Sequence, residues 1–149
     1  MFNNTRKTIQ NKCDEKWRKL LFATIDLCER SIRQPSEAID HVFPYPWMEI
    51  GPGYAYGPAF GHWDIVHSAF NFVKDDPYEV IRQLENDFSL LCDDGRLIGA
   101  IFFQDHKRFN SDVVTHPPLW VFLADELYDL HGNKEFLRRC LTVVEKQIV

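Results

Sequence analysis

The chain has 149 residues, enough for one globular domain with a sizeable core, which we place over residues 1–149. Apolar residues make up 45% and charged residues 26% of the sequence, a balance typical of ordered chains rather than disordered ones. The net charge is -5 and the basic residues are scattered, which argues against a nucleic-acid partner.

Segments that would target the chain to a membrane are missing from the sequence. No stretch approaches the ~20 apolar residues of a membrane span, and the first residues contain no continuous apolar core of a signal peptide. The cysteines are Cys13, Cys28, Cys92 and Cys140, far apart and without a C-x-x-C pair. We interpret them as reduced thiols in the core or at its boundary, and expect a cytoplasmic protein with no membrane partner and no cofactor.

The first helix predicted in chain order covers roughly residues 14–32. Its apolar and small side chains recur at steps of three and four residues, and they are Trp17, Leu20, Leu21, Thr24 and Cys28. Gln34-Pro35 closes the helix. Residues 1–39 therefore form a leading helix region.

Two hairpins, each with a buried helix followed by a half-exposed one, are predicted in residues 40–149. In the first, a helix buried on most sides covers 65–73, and Asp75-Asp76-Pro77 ends it and starts the next. That next helix has Val80, Ile81, Leu84, Phe88 and Leu91 on its apolar face, with Glu79, Arg82, Glu85 and Asn86 outward.

The second hairpin repeats this arrangement. An almost entirely apolar helix opens at Leu119–Ala124, and His131-Gly132-Asn133 punctuates the chain. A helix with Phe136, Leu137, Cys140, Leu141 and Val144 on its apolar face follows. The hairpin recurs after about 56 residues, which favours a stack of helical hairpins; a bundle of four or five helices is the alternative.

A long aromatic connection, VFPYPWMEIGPGYAYGPAFGHWD, precedes the first buried helix, and DDGRLIGAIFFQDHKRFNSDVVTHPP precedes the second. Both connections would enter their helices from the same end of the stack, so Trp63-Asp64 and residues 115–118 would meet at one mouth. Aromatic faces and carboxylates suit the C–H groups and hydroxyls of sugars. The alternative is that Tyr54, Tyr56 and Phe60 pack the connection onto the core and that Asp64 caps a helix.

At these residues the sequence resembles a known family. The ordered motifs GPGYAYGPAFGHWDIVHSAF, DDP, DDGRLIGAIF, THPPLW and LYDLHGNKEFL resemble the first helical hairpins of the catalytic domain of glycoside hydrolase family 63. The likeness covers roughly residues 40–149, is greatest to bacterial members akin to mannosylglycerate hydrolase, and extends more distantly to the trehalases. It implies an all-α fold, an (α/α)6 toroid, here incomplete with about two hairpins and a leading helix.

The resemblance also implies which residues bind the substrate. The family's Trp-Asp and Gln-Pro-Pro elements correspond to Trp63-Asp64 and His116-Pro117-Pro118. With the aromatic approach, the candidate sugar-binding residues are Trp63, Asp64, His116, Pro117, Tyr56 and Phe60. The sequence departs from the family at Gly61, where an aromatic residue is common, and at His116, where glutamine is common. An imidazole offers one donor and one acceptor, fewer than an amide.

Inverting glycoside hydrolysis needs a general acid and a general base on opposite faces of the sugar. In the resembled family both carboxylates come from later hairpins, so we expect no catalytic residue in this chain and assign Asp64 to substrate binding. The chain stops inside a helical pattern without a stop signal. We therefore expect part of a glycoside hydrolase that is inactive by itself.

Two other classes of protein remain open. A metal-binding helical enzyme would use His62, Asp64 and His67, with His116 completing the ligand set. A non-catalytic helical interaction module would use the apolar inner face of an unclosed stack, which favours self-association.

Overall fold

A computed structural model describes residues 2–50, 58–104, 107–110 and 116–148. The α-helices in these ranges are α1 (Asn3–Lys12), α2 (Glu15–Arg30), α3 (His62–Phe70), α4 (Pro77–Phe88), α5 (Trp120–His131) and α6 (Lys134–Ile148). The strands are β1 (Ile32–Arg33), β2 (Trp47–Met48), β3 (Ala59–Gly61), β4 (Ala100–Gln104) and β5 (Lys107–Asn110). The chain is helix-rich, as predicted, but it is not purely all-α.

The leading region contains two helices where one was predicted. Helix α2 begins after Asp14, whose side chain accepts a hydrogen bond from the Lys16 amide at 3.1 Å, as an N-cap does. Helix α1 begins without a side-chain cap of its own. Instead, the buried carboxylate of Asp76 accepts from the amide of Thr5 at 2.9 Å and from its hydroxyl at 2.6 Å. A residue distant in sequence thus satisfies the free amides at the start of α1.

The two predicted hairpins are present as α3 with α4 and α5 with α6, and the inner helices α3 and α5 contact each other. Pro77 is the first residue of α4, as predicted. Helix α5 ends at Gly132, which has a left-handed φ of 63°. The side chain of Asn133 then accepts a hydrogen bond from the Phe136 amide at 3.0 Å, which caps α6. The predicted punctuation at 131–133 is confirmed.

The inner helices are less buried than predicted. Phe70 and Val121 are each 38% exposed, and Phe122 of α5 is 67% exposed. Within the described part of the chain, no element covers this side of α3 and α5. A strip of apolar side chains on the inner helices therefore faces solvent.

The second long connection, predicted as a loop, contains strands β4 and β5. Strand β4 pairs antiparallel with both β3 and β5, and β1 pairs with β2 in a separate two-stranded sheet. Ile101 and Phe103 are buried while Phe102, between them, is partly exposed. This alternation is the period of a strand that covers one face of a core. The sheet fixes the chain that leads into α3.

An aromatic cluster joins the 43–47 segment to the three-stranded sheet. The rings of Phe43 and Phe60 lie 4.6 Å apart, those of Trp47 and Phe103 lie 5.2 Å apart, and all four side chains are buried. The indole N–H of Trp47 donates to the Gln34 carbonyl at 3.2 Å. This cluster holds the 43–47 segment against β3 and β4.

Asn86 was predicted to face outward, and this prediction is wrong because Asn86 is completely buried. Its amide oxygen accepts from the Tyr45 amide at 3.0 Å, and its nitrogen donates to the Pro46 carbonyl at 3.1 Å. Gln83 binds the same segment by accepting from the Met48 amide at 3.0 Å. Buried extended backbone needs partners, and polar side chains of α4 provide them.

The cysteines are free, with Cys140 buried and the other three partly buried. Burial raises the pKa of the Cys140 thiol to about 12. A thiol with this pKa stays protonated and behaves as a small apolar side chain. The predicted positions of the cysteines in the core and at its boundary are therefore confirmed.

Candidate functional site

The site begins where β3 runs directly into α3. The amide of His62 donates to the Gly99 carbonyl at 2.9 Å, one residue before β4, so the sheet fixes the first turn of the helix. A Cβ atom at Gly61 would overlap the end of the Ile50 side chain and lie 2.8 Å from Oδ2 of Asp64. A larger residue at this position, such as the aromatic one that the resembled family commonly carries, would therefore require both side chains to move.

The two connections meet, as predicted, at Trp63 and His116. Their ring centroids are 5.7 Å apart and the planes are almost perpendicular, at 88°. The indole of Trp63 is 38% exposed, and its other neighbour is the ring of His67 at 5.2 Å. His116 is half-buried and Pro117 is exposed. An accessible aromatic side chain therefore stands beside an imidazole contributed by the other hairpin.

Asp64 is exposed in the first turn of α3, but it is not the N-cap, which is Gly61. The helix-cap alternative for Asp64 is therefore wrong. Its carboxylate forms no hydrogen bond with a described residue, so both oxygens can accept hydrogen bonds from a ligand. The positive end of the α3 dipole favours a negative charge at this position.

The remaining sugar-binding candidates divide into a buried residue and one outside the described residues. Phe60 is completely buried in the aromatic cluster, so its ring packs in the core and is not accessible to a ligand. The packing alternative is correct for this ring. Tyr56 and Tyr54 lie outside the described residues.

His62 does not join Asp64 and His67 in a metal site. Its Nδ1 lies 2.6 Å from Oδ2 of Asp87 on α4, and both side chains are buried, at 2% and 0% exposure. Asp64 and His67 lie on the exposed side of α3. In the described ranges, no group of three or more His, Cys, Asp or Glu residues could hold a metal ion. The metal alternative fails because the ring of His62 faces into the core.

Sequence reasoning missed Asp87, although a signal was present. Asp87 follows Leu84 by three residues and Val80 by seven, which places it on the buried apolar face of α4. A carboxylate at such a position is almost never buried without a partner. The sequence therefore indicated a buried polar pair but did not identify the partner.

The pKa of both His62 and Asp87 is raised, so burial of the pair favours binding of a proton. Burial lowers the pKa of His62, but the hydrogen bond and negative charge of Asp87 outweigh burial, so that pKa is raised. Burial also raises the pKa of the Asp87 carboxyl, more than His62 lowers it. A pair with no net charge costs less to bury than one negative charge, which explains why both directions agree.

This pair also positions the residues at the mouth. His62 faces the backbone carbonyl of Pro117, a contact that further raises its pKa, and its ring lies 6.3 Å from that of His116. Four polar atoms here are buried without a hydrogen-bond partner among the described residues: His62 Nε2, Asp87 Oδ1, His116 Nδ1 and Trp120 Nε1. Through Nδ1, His62 thus joins α3 to α4, and its ring lies close to the segment that carries His116.

Comparison with known proteins adds no relative. No protein-family model, no curated protein and no solved structure matches this chain. In the part of the chain that the structure describes, every helix is too short or too polar to cross a membrane. The geometry of Trp63, Asp64 and His116 is therefore the basis for a functional assignment.

Proposed function

We propose that this chain is part of an inverting glycoside hydrolase and supplies a sugar-binding surface formed by Trp63, Asp64, His116 and Pro117. The observation that carries this proposal is the convergence of an exposed indole, an imidazole from the other hairpin, and a carboxylate that has no partner among the described residues. The indole face suits the C–H side of a pyranose, and the carboxylate can accept hydrogen bonds from two neighbouring hydroxyls.

The architecture supports an (α/α)6 toroid as the complete fold. Two hairpins lie side by side with their inner helices in contact, and the sugar-binding residues stand at the start of each inner helix. This is the arrangement expected at the mouth of such a toroid. We place the general acid and base on further hairpins, and the protein in the cytoplasm, where its free cysteines stay reduced.

The proposal is tested with the purified chain and a panel of disaccharides and aryl glycosides. We expect binding without hydrolysis, because inverting hydrolysis needs a general acid and a general base, which we place on further hairpins. Glycoside turnover that disappears in Asp64→Asn would overturn the assignment of Asp64 to binding. Absence of binding to every sugar in the panel would overturn the proposal itself.

A second candidate function is that of an interaction module, and the exposed apolar strip on α3 and α5 favours it. The strip consists of the exposed side chains Trp63, Phe70, Val121 and Phe122, and large exposed apolar side chains on neighbouring helices favour a contact with another protein. The partner that we propose is a second copy of this chain. Sedimentation velocity should show concentration-dependent association that Phe122→Ser removes.

The matched control is Tyr78→Ser, on α4, where the tyrosine is 75% exposed. This substitution removes an equally accessible aromatic side chain away from the strip and should leave association unchanged. A chain that stays monomeric at all concentrations, or that associates equally well with Phe122→Ser, would rule out the interaction module.

A further inference from the structure

A cleft opens on the side of His116 that is lined by α5 and α6, and its volume is about 350 Å³. Its walls are the 94–96 turn, the start of α5 and the end of α6. The lining includes Asp94, Arg96, His116, Val121, Val144, Gln147 and Ile148. This volume is in the range of small-molecule pockets and accommodates a monosaccharide.

The charged groups of the cleft compensate each other. The guanidinium Nε of Arg96 donates to Oδ2 of Asp94 at 2.8 Å, and the Arg96 amide donates to Oδ1 of the same carboxylate at 3.2 Å. The cleft thus presents one cation and one anion already paired. A charged ligand would have to compete with this ion pair, so the electrostatics favour a neutral ligand.

Two other polar side chains of the cleft have unused hydrogen-bonding capacity. Neither the imidazole of His116 nor the amide of Gln147 forms a side-chain hydrogen bond in the described part of the chain, and Nδ1 of His116 is buried. An amide and a neutral imidazole each offer both a donor and an acceptor. A hydroxyl group, which also donates and accepts, matches both of them.

The cleft also has an aliphatic lining. Val121, Val144 and Ile148 contribute methyl groups, and Val144 and Ile148 lie on α6 together with Gln147. A ligand that fits has both hydroxyls and C–H groups, as a neutral sugar or cyclic polyol does. The His116 ring contacts Trp63 at the mouth and also lines this cleft.

We propose that this cleft is a second subsite for a neutral monosaccharide unit, separated by His116 from the surface at Trp63 and Asp64. The inference rests on the proposed function for the class of ligand, and it extends the sugar-binding surface from the mouth into the space between the 94–96 turn and α6.

The test is a titration of the full chain with methyl α-D-glucopyranoside, followed by amide NMR shifts. We expect millimolar binding, as for a single sugar unit with few contacts. The amides of Gly95, Val121 and Gln147 should shift, and inorganic phosphate should shift none of them. Val121→Trp fills the cleft and should weaken these shifts at least tenfold. Phe122→Trp, at the neighbouring position that does not line the cleft, should leave them unchanged.

The mouth and the cleft can be separated by a further variant. Trp63→Ala should abolish shifts around α3 and leave those of Gly95 and Gln147. If the glucoside shifts only residues at the mouth, the second subsite is wrong while the proposed function stands. If phosphate binds in the cleft and the glucoside does not, the cleft is an anion site and the inference is overturned.

Discussion

At the scale of single residues, the pair of His62 and Asp87 holds the site in place. Both side chains are buried, and a hydrogen bond of 2.6 Å joins the helix that carries Trp63 to α4. The hydrogen bond and charge of Asp87 raise the pKa of His62. A buried pair thus attaches to α4 the helix that carries the exposed groups Trp63 and Asp64, which are proposed to bind sugar.

The protonation of this pair predicts how stability changes with pH. The pKa of His62 is raised above 6.5, the usual value for histidine, so the folded protein binds protons more tightly than the unfolded chain does. The stabilising contribution is complete below about pH 6.5 and is lost as pH rises through the folded pKa. The raised pKa of Asp87 acts with the same sign. Urea unfolding at a series of pH values should therefore show stability falling above neutrality.

Asp87→Asn should remove most of this pH dependence, because the amide cannot hold a proton on His62. Breaking a buried pair from one side costs about 3–5 kcal/mol, so the variant should also be less stable at pH 6. The matched control is His67→Asn, which replaces an exposed histidine on α3, the helix that carries His62. This variant should keep the dependence of stability on pH seen in the parent chain. An unchanged slope in Asp87→Asn would show that the pair is not the cause.

At the scale of elements, α1 depends on a tertiary contact. Asp76 accepts from the Thr5 amide and hydroxyl, 71 positions away in sequence. Asp76→Ala should cost about 2 kcal/mol, as losing a helix cap does, and should speed hydrogen exchange in α1 more than in α6. Asp75→Ala is the control, since Asp75 accepts a single side-chain hydrogen bond, from Thr8 at 2.8 Å. Equal effects of the two substitutions would contradict a capping role for Asp76.

The turn that carries Gly95 is pressed against the end of α6. Gly95 has a φ of 82°, and a Cβ atom there would overlap the backbone carbonyl of Lys146. Gly132 has a similar φ of 63°, but no atom lies within 4 Å of its Cβ position. Alanine at either position would strain the backbone because φ is positive. Only alanine at Gly95 would also bring its Cβ atom into a clash with another residue. Gly95→Ala should therefore destabilise the chain by about 1–3 kcal/mol more than Gly132→Ala in thermal unfolding.

The elements differ in how far they could be predicted from sequence. Periodic apolar faces located α4 and α6 closely, because each buries one side against its neighbours. The same period located α2, but Trp17, Leu20 and Leu21 of its predicted face are exposed and Ile25 is its one buried residue. Helix α1 was missed because its start is capped by Asp76, which no local pattern reveals. Strands β4 and β5 were missed because the segment around Phe102 was interpreted as a connection, although its alternation has the period of a strand.

The candidate site divides in the same way. The meeting of Trp63 with His116 followed from the connections entering both inner helices at one end, which depends only on the order of the elements. The burial of Phe60 and the pairing of His62 with Asp87 depend on how side chains pack in three dimensions. The spacing of His62, Asp64 and His67 suggested a metal site as an alternative. In the structure the His62 side chain is buried, while Asp64 and His67 are exposed.

At the scale of the whole molecule, the two inner helices α3 and α5 carry two surfaces. One is the mouth, at the start of both helices, and the other is the strip of exposed apolar side chains. Trp63 belongs to both, since its indole contacts His116 and also extends the exposed surface of α3. In the proposed toroid, further hairpins would cover the strip and complete the mouth. Sugar binding and association would then compete for Trp63 in this chain.

The measurement that tests the central claim most directly compares sugar affinity and thermal stability in Asp64→Ala. We expect affinity for the best sugar of the panel to fall at least tenfold, a loss of about 1.4 kcal/mol. The melting temperature should move by less than about 2 °C, because Asp64 is exposed and bonds to no described residue. A variant that melts many degrees lower and binds sugar as well as the parent chain would contradict the claim and leave Asp64 with a purely structural role.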